Sequence, residues 1–168
     1  MIKEGSMERF IVSGIVLNEK EAKVTIKQVP DQPGMAGFIF KGLAEANINV
    51  DMIVQSSAKE GTNDISFTVE EGDLNDVKEV MGKIKQKTEV KEVIYDSDMA
   101  KVSLVGAGMQ SHPGVAARMF TALGREGINI DMISTSEIKI SCAVKKREGK
   151  RAVRVIHREF ELDKETDT

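Results

Sequence analysis

Aromatic residues are scarce in this 168-residue chain, at 4%, with no Trp and a single Tyr. Any core must therefore be filled by Ile, Val, Leu and Met, which the 40% apolar content allows. Cysteine is scarcer still: Cys142 is the only one, so no internal disulfide can form. Its place in the alternating run Ile140, Cys142, Val144 marks a small buried apolar residue and not a reactive thiol. Excess positive charge is also missing. A net charge of −3 argues against a nucleic-acid binder that works through a broad basic face. The one basic run, Lys145 to Arg151, is short and broken by Glu148, as in a solvated turn that enters a helix. No stretch approaches the roughly 20 apolar residues of a membrane span, and Met1 to Ser6 form no apolar signal core. Together these absences fit a reducing cytoplasm and no partner that is membrane or nucleic acid.

Catalytic and cofactor chemistry is lacking as well. Val105-Gly106-Ala107-Gly108 resembles the start of a dinucleotide fingerprint, but Ser111 stands where the third glycine belongs. No Gly-Lys-Ser/Thr phosphate loop occurs. The two histidines, His112 and His157, are far apart and a single Cys completes no metal set; His157, among Arg154, Arg158 and Glu159, reads as an exposed helix residue. Glu70 and Glu71 read as a solvated strand end. No nucleophile, base and orienting group assemble, so no enzyme, cofactor or metal is expected.

What the chain does contain is a repeat. Residues 33–57 and 113–137, 80 positions apart, are identical at eleven of twenty-five places, among them Pro33/Pro113, Gly34/Gly114, Phe40/Phe120, Asn49/Asn129, Asp51/Asp131, Ile53/Ile133 and Ser56/Ser136. Ala22-Lys23-Val24 matches Ala100-Lys101-Val102 at 78, so the loop before Pro113 is two residues longer. Each copy begins with an alternating strand through Val24 or Val102. Pro33 and Pro113 suit a first helical position, and Asn47 and Gly127 suit the left-handed residue that ends that helix. A second strand is expected with Ile48, Val50, Met52 and Val54 on one face and, in the other copy, Ile128, Ile130 and Met132. Ile53 and Ile133 then point to the face opposite Val50 and Ile130. A third strand follows at 65–69 or 138–144, after an inserted polar loop, 58–63, in the first copy. The second helix starts near Asp73, read as its N-cap, or near Lys150, running to Leu162.

The first copy closes with a strand at 90–95, giving β-α-β-β-α-β, the ferredoxin-like order. The second copy lacks its last strand, while the N-terminus has one too many, at 10–17. The surplus strand is expected to complete the second copy. The fold class is therefore α+β, two ferredoxin-like modules in tandem, with boundaries at 18–97 and 98–163 plus the strand 10–17, and flexible ends at 1–9 and 164–168.

The two strand-to-helix loops, 28–34 and 106–114, are the candidate sites. A helix N-terminus offers unpaired N–H groups and positive partial charge, so a carboxylate is a natural guest. Asp31 can receive an ammonium group, which points to an amino acid, and Gln55 at the neighbouring strand end can donate and accept. The matching residues in the second copy are His112, Thr135 and Ser136. The alternative is that Pro-Gly is only good helix-start chemistry.

At these residues the chain resembles the tandem ACT modules of the regulatory part of aspartate kinase. The resemblance rests on Val29-Pro30-Asp31-Gln32-Pro33-Gly34, Ile48-Asn49-Val50-Asp51-Met52-Ile53-Val54-Gln55 and Asp64 to Val69, and on His112 to Ala116 and Ile130 to Ser141. It implies feedback control, by threonine or lysine, of the ATP-dependent phosphorylation of aspartate. The catalytic domain lies N-terminal in the full enzyme, so the resemblance implies either a separately made regulatory subunit or a regulatory region. It places a first pocket at Asp31, Gln32, Pro33, Gly34 and Gln55, closed by Asn129 and Ile130. A second lies at Met109, His112, Pro113, Gly114, Thr135 and Ser136, closed by Asn49 and Val50. With His112 and no Asp in the second loop, the two are expected to differ, the first being the stronger threonine site. The expected partners are a catalytic aspartate kinase subunit or domain and a second copy of the chain, whose exposed sheet face and edges need cover. The alternatives are a fragment that keeps kinase activity and the ACT-type small subunit of another amino-acid enzyme, such as acetolactate synthase.

Overall fold

The computed structural model describes residues 11–108 and 112–160. The chain divides into two compact units. One spans Lys20–Met99; the other joins the chain before Lys20 to Ala100 onward. In the first module, β2 (Glu21–Pro30), α1 (Met35–Glu45), β3 (Ile53–Ser57), β4 (Thr62–Glu70), α2 (Leu74–Lys87) and β5 (Glu92–Asp96) follow in sequence. The strands form an antiparallel sheet of order β3-β4-β2-β5. The second module contains β6 (Ala100–Ala107), α3 (Gly114–Arg125), β7 (Met132–Thr135), β8 (Lys139–Val144) and α4 (Gly149–Glu159). Its fourth strand is β1 (Ile11–Asn18), which pairs antiparallel with β6 and gives the order β1-β6-β8-β7. The borrowed strand expected from the sequence is therefore present; Phe10, its expected first residue, lies outside the described residues, as do 1–9 and 161–168.

Alternation makes the cores. Val24 and Ile26 of β2 and Ile65, Phe67 and Val69 of β4 meet Ile39 and Leu43 of α1 and Val77, Met81 and Ile84 of α2. Phe40 packs edge-on against Phe67, ring centroids 5.7 Å apart. The second core has the same plan with smaller residues: Val102, Leu104, Ile140, Cys142 and Val144 against Met119, Leu123, Ala152 and Ile156. Cys142 is wholly buried, and burial pushes its thiol up to about 12. At Gly149 a Cβ would lie 3.0 Å from the Ala100 Cβ and 3.1 Å from Leu17 Cδ1, so α4 sits close upon β1 and β6 because that residue is glycine.

Several local expectations are corrected. Helix α1 begins at Met35, two residues after Pro33, because Gly34 takes φ 92°, which a helix cannot contain. Helix α3 begins at Gly114, directly after Pro113. Neither proline is thus the first helical residue. Asp73 does precede α2 but makes no capping bond, since a 3-10 turn, Glu71–Asp73, leads into the helix and leaves it in a helical conformation. Strand β3 starts only at Ile53, with Ile48 and Met52 buried before it and Val54 exposed. Ile53 and Ile133 do not face away from the core side. They stand opposite Phe67 and Cys142, both core residues, and opposed residues of an antiparallel pair share a face. They are 54% and 46% exposed because β3 and β7 are edge strands. His157 is half-buried, not exposed. Asn47 (φ 59°) and Gly127 (φ 69°) end their helices in the left-handed region as expected.

Among the described residues, no helix is long and apolar enough to cross a membrane. The Val105-to-Gly108 segment is no dinucleotide motif: β6 is antiparallel to both neighbours, whereas that motif needs a parallel βαβ unit.

Candidate functional site

The register of β2 and β4 builds the first site. Pairing runs from Glu21↔Glu70 to Ile26↔Ile65, breaks, and resumes at Val29↔Asn63 and Pro30↔Thr62. At the break Gln28 takes φ 54°. Asp64 holds this point: its Oδ1 accepts from the Gln28 N–H at 2.9 Å and its Oδ2 from Lys27 Nζ at 2.6 Å. The Lys27 hydrogen bond, with the Gln28 N–H behind it, holds the Asp64 carboxyl below the usual carboxylate range, and the same contact raises Lys27. Just beyond, the Asp31 N–H donates to the Gly61 carbonyl at 2.9 Å, tying the loop to the β3–β4 turn.

This arrangement brings the first set of expected residues together. Asp31, Gln32, Gly34 and Gln55 line one recess of about 210 Å³ with Met35, Ala36, Gly37, Asn63 and Ile65. That is below the range of drug-sized sites. No side chain caps α1 and its first turn holds no acidic residue; the Met35 N–H donates to the Gln32 carbonyl at 3.3 Å, and the Ala36 and Gly37 amides, which have no intrahelical acceptor, belong to residues that line the recess. Among the described residues, no hydrogen-bond or ion-pair partner engages the Asp31 carboxylate. The Asp31 side chain is thus no part of the helix start. A wider groove of about 750 Å³, with Lys27, Gln28, Gln32, Glu89, Lys91 and Glu92, runs along the other side of the loop. It is of mixed charge, and it contains neither the helix start nor Asp31.

Pro33 is exposed between Gln32 and Gly34 but does not line the recess. The residues expected to close the two sites are Val50, Ile130, Asn49 and Asn129. Val50 and Ile130 pack partly on their own cores, and Asn49 and Asn129 are exposed.

The second set is built differently. Met109 lies outside the described residues. His112 Nδ1 is 2.8 Å from the Gly108 carbonyl oxygen, so the imidazole closes its own loop, with Gly108 at φ 76°. Ser136 is occupied too: its Oγ accepts from the Lys139 N–H at 3.2 Å and its N–H donates to the Lys139 carbonyl at 2.8 Å, which makes the β7–β8 turn. Thr135 is exposed on β7 opposite Ile140. Pro113 and Gly114 open α3, which also has no side-chain cap.

Sequence reasoning missed Asn63 and Ile65 in the first recess, and Lys27 and Asp64 behind it. Asn63 lies in the segment 58–63 expected to be a polar loop, but Thr62 and Asn63 belong to β4, and their pairing with Pro30 and Val29 is non-local.

An ACT domain model matches residues 23–89, and a second ACT domain model matches 102–160. The fold and these matches define a tandem ACT protein. An aspartate kinase of Stutzerimonas stutzeri is 50% identical over 161 residues, 96% of this chain and 39% of that protein. An aspartokinase of Pseudomonas aeruginosa is 49% identical over the same shares. Among solved structures, aspartokinase alpha and beta subunits include a chain 43% identical to this one, with TM-score 0.83, covering 90% of this chain and 99% of that one. The regulatory subunit of aspartate kinase from Thermus thermophilus is 37% identical, TM-score 0.84, covering 89% and 98%. The chain belongs to the aspartokinase family, and its residues correspond to the regulatory ACT region. It spans 39% of the length of the curated relatives it matches. The alternatives of a kinase fragment and of an acetolactate synthase small subunit give way to these matches.

Proposed function

We propose that this chain senses an amino-acid end product, threonine or lysine, and sets the activity of a catalytic aspartate kinase part in cytoplasmic feedback control of the aspartate pathway. The observation that carries it is the first recess: an uncapped helix N-terminus for the effector carboxylate, the Asp31 carboxylate for its ammonium group, and Gln55 for a polar side chain. Asn129 and Ile130 close this recess, and Asn49 and Val50 close the second, each from the unlike module of a partner copy. The chain is a homodimer in this reading. The edge strands β3 and β7, with exposed Ile53, Val54 and Ile133, support that.

Calorimetric titration with L-threonine and with L-lysine tests the proposal. Saturable binding of one of them, weakened at least about tenfold in Asp31→Asn, is expected; no heat with either would overturn the reading. Light scattering that gives a monomer at high micromolar concentration with effector present would remove the dimer.

A further inference from the structure

We propose that Asp64 is a positioning residue of the first site: through Lys27 and the Gln28 amide it holds the Val29–Gly34 loop where Asp31 and the α1 amides can meet one ligand. This rests on the reading of that loop as the effector site. Gln28 and Asn47 are the non-glycine residues at positive φ among the described residues. Asn47 ends a helix, where asparagine adopts that conformation readily; glutamine has no such preference. Something must hold Gln28 there, and Asp64 contacts both its amide and its neighbour Lys27. The strand alternates, so Asn63 and Ile65 line the recess while Asp64 between them faces the other way. Asp64 therefore acts on the site through the loop and not on the ligand.

The second module shows that the fold does not require this device. Matching the registers Val24↔Phe67 and Val102↔Cys142 puts Val105 and Lys139 where Lys27 and Asp64 stand, and Gly106 where Gln28 stands. A valine and a lysine form no ion pair, yet the same strands pair and the same helix follows. The Lys27–Asp64–Gln28 clamp thus belongs to the loop of one module and not to ACT architecture.

The test uses the full chain with Asp64→Ala, Gln28→Gly and both together. Amide exchange, L-threonine and L-lysine titration, and thermal melting are read in each. Asp64→Ala is expected to speed exchange of the Gln28 and Asp31 amides and to weaken binding about tenfold, as for one lost charge-assisted contact, with little change in melting temperature. Gln28→Gly in that background is expected to recover part of the affinity, since glycine takes positive φ without help. Unchanged exchange, affinity lost only together with the melting temperature, or no recovery by Gln28→Gly would each overturn the proposal. If the unaltered chain binds neither amino acid, the effector reading fails while the exchange data still decide the clamp.

Discussion

The two modules share a repeat and a topology, yet they spend their polar residues differently. In the first, the strand-to-helix loop is braced from behind by Asp64 and Gly61, and its Asp31 carboxylate stays unengaged. In the second, His112 and Ser136 bond within their own turns. The helix layers differ in the opposite sense. Arg118 donates from Nε to the Glu159 carboxylate at 3.1 Å and from Nη2 to the Glu159 carbonyl, and lies 4.5 Å over the Phe160 ring, latching α3 to α4. At the equivalent place in the first module stands Phe38, 41% exposed. A braced loop thus sits in one module and latched helices in the other, which shows how two copies of one fold can diverge without moving a strand.

The largest break in this comparison should come from deleting residues before Asn18. Strand β1 pairs along β6 from Ile11 to Asn18, and Leu17 reaches α4. Losing it should cost the second module about 5 kcal/mol, the scale of a small domain's entire stability, and leave Lys20–Met99 folded. Cys142, the only thiol, reports the outcome: labelling should change from protected to fast, and continued protection would contradict the strand's role.

Asp31→Asn should weaken threonine binding by roughly tenfold to a hundredfold, the value of about 1.5–3 kcal/mol for one charge-assisted bond, while the ligand-free melting temperature barely moves. His112→Asn in the second module should instead disturb its own loop. Equal effects on affinity would erase the proposed difference between sites.

Gly149→Val should destabilise the second module by about 1–3 kcal/mol through overpacking against Ala100 and Leu17; a neutral result by chemical denaturation would mean that α4 can shift away. Arg118→Ala should cost about 1 kcal/mol in the second module alone, as a partly exposed ion pair and cation–π contact.

The smallest effect is acid loosening of the first loop. The folded pKa of Asp64 lies below its ordinary value of 3.8, so its contribution is complete above that value and is lost as pH falls through the folded one. Protection factors for the Gln28 amide should fall below about pH 4, with no matching change at Gly106, where Val105 and Lys139 replace the pair. Protection that is flat down to strong acid would separate the loop from Asp64's charge.

Much of this was legible because it is local. The eleven identities between residues 33–57 and 113–137, the helical spacing of Ile39, Phe40 and Leu43, and the turn chemistry of Asn47 and Gly127 follow from side-chain period and backbone sterics, which act within a few residues. The missing last strand and the surplus first one could be matched by counting. That Asp31, Gln32, Gly34 and Gln55 lie together was legible because two copies marked the same loop and strand end. Tertiary structure alone decided the rest. Which face Ile53 and Ile133 occupy depends on register with Phe67 and Cys142, since one residue of slip reverses a strand's faces. That Asp64 braces Gln28 across 36 residues depends on a break in pairing that no local pattern encodes. The sequence by itself determined two ACT-like modules and the two strand-to-helix loops; only the folded sheets decided which polar groups of each loop are taken up by internal bonds, because hydrogen-bond partners are assigned by strand register and not by neighbourhood in the chain.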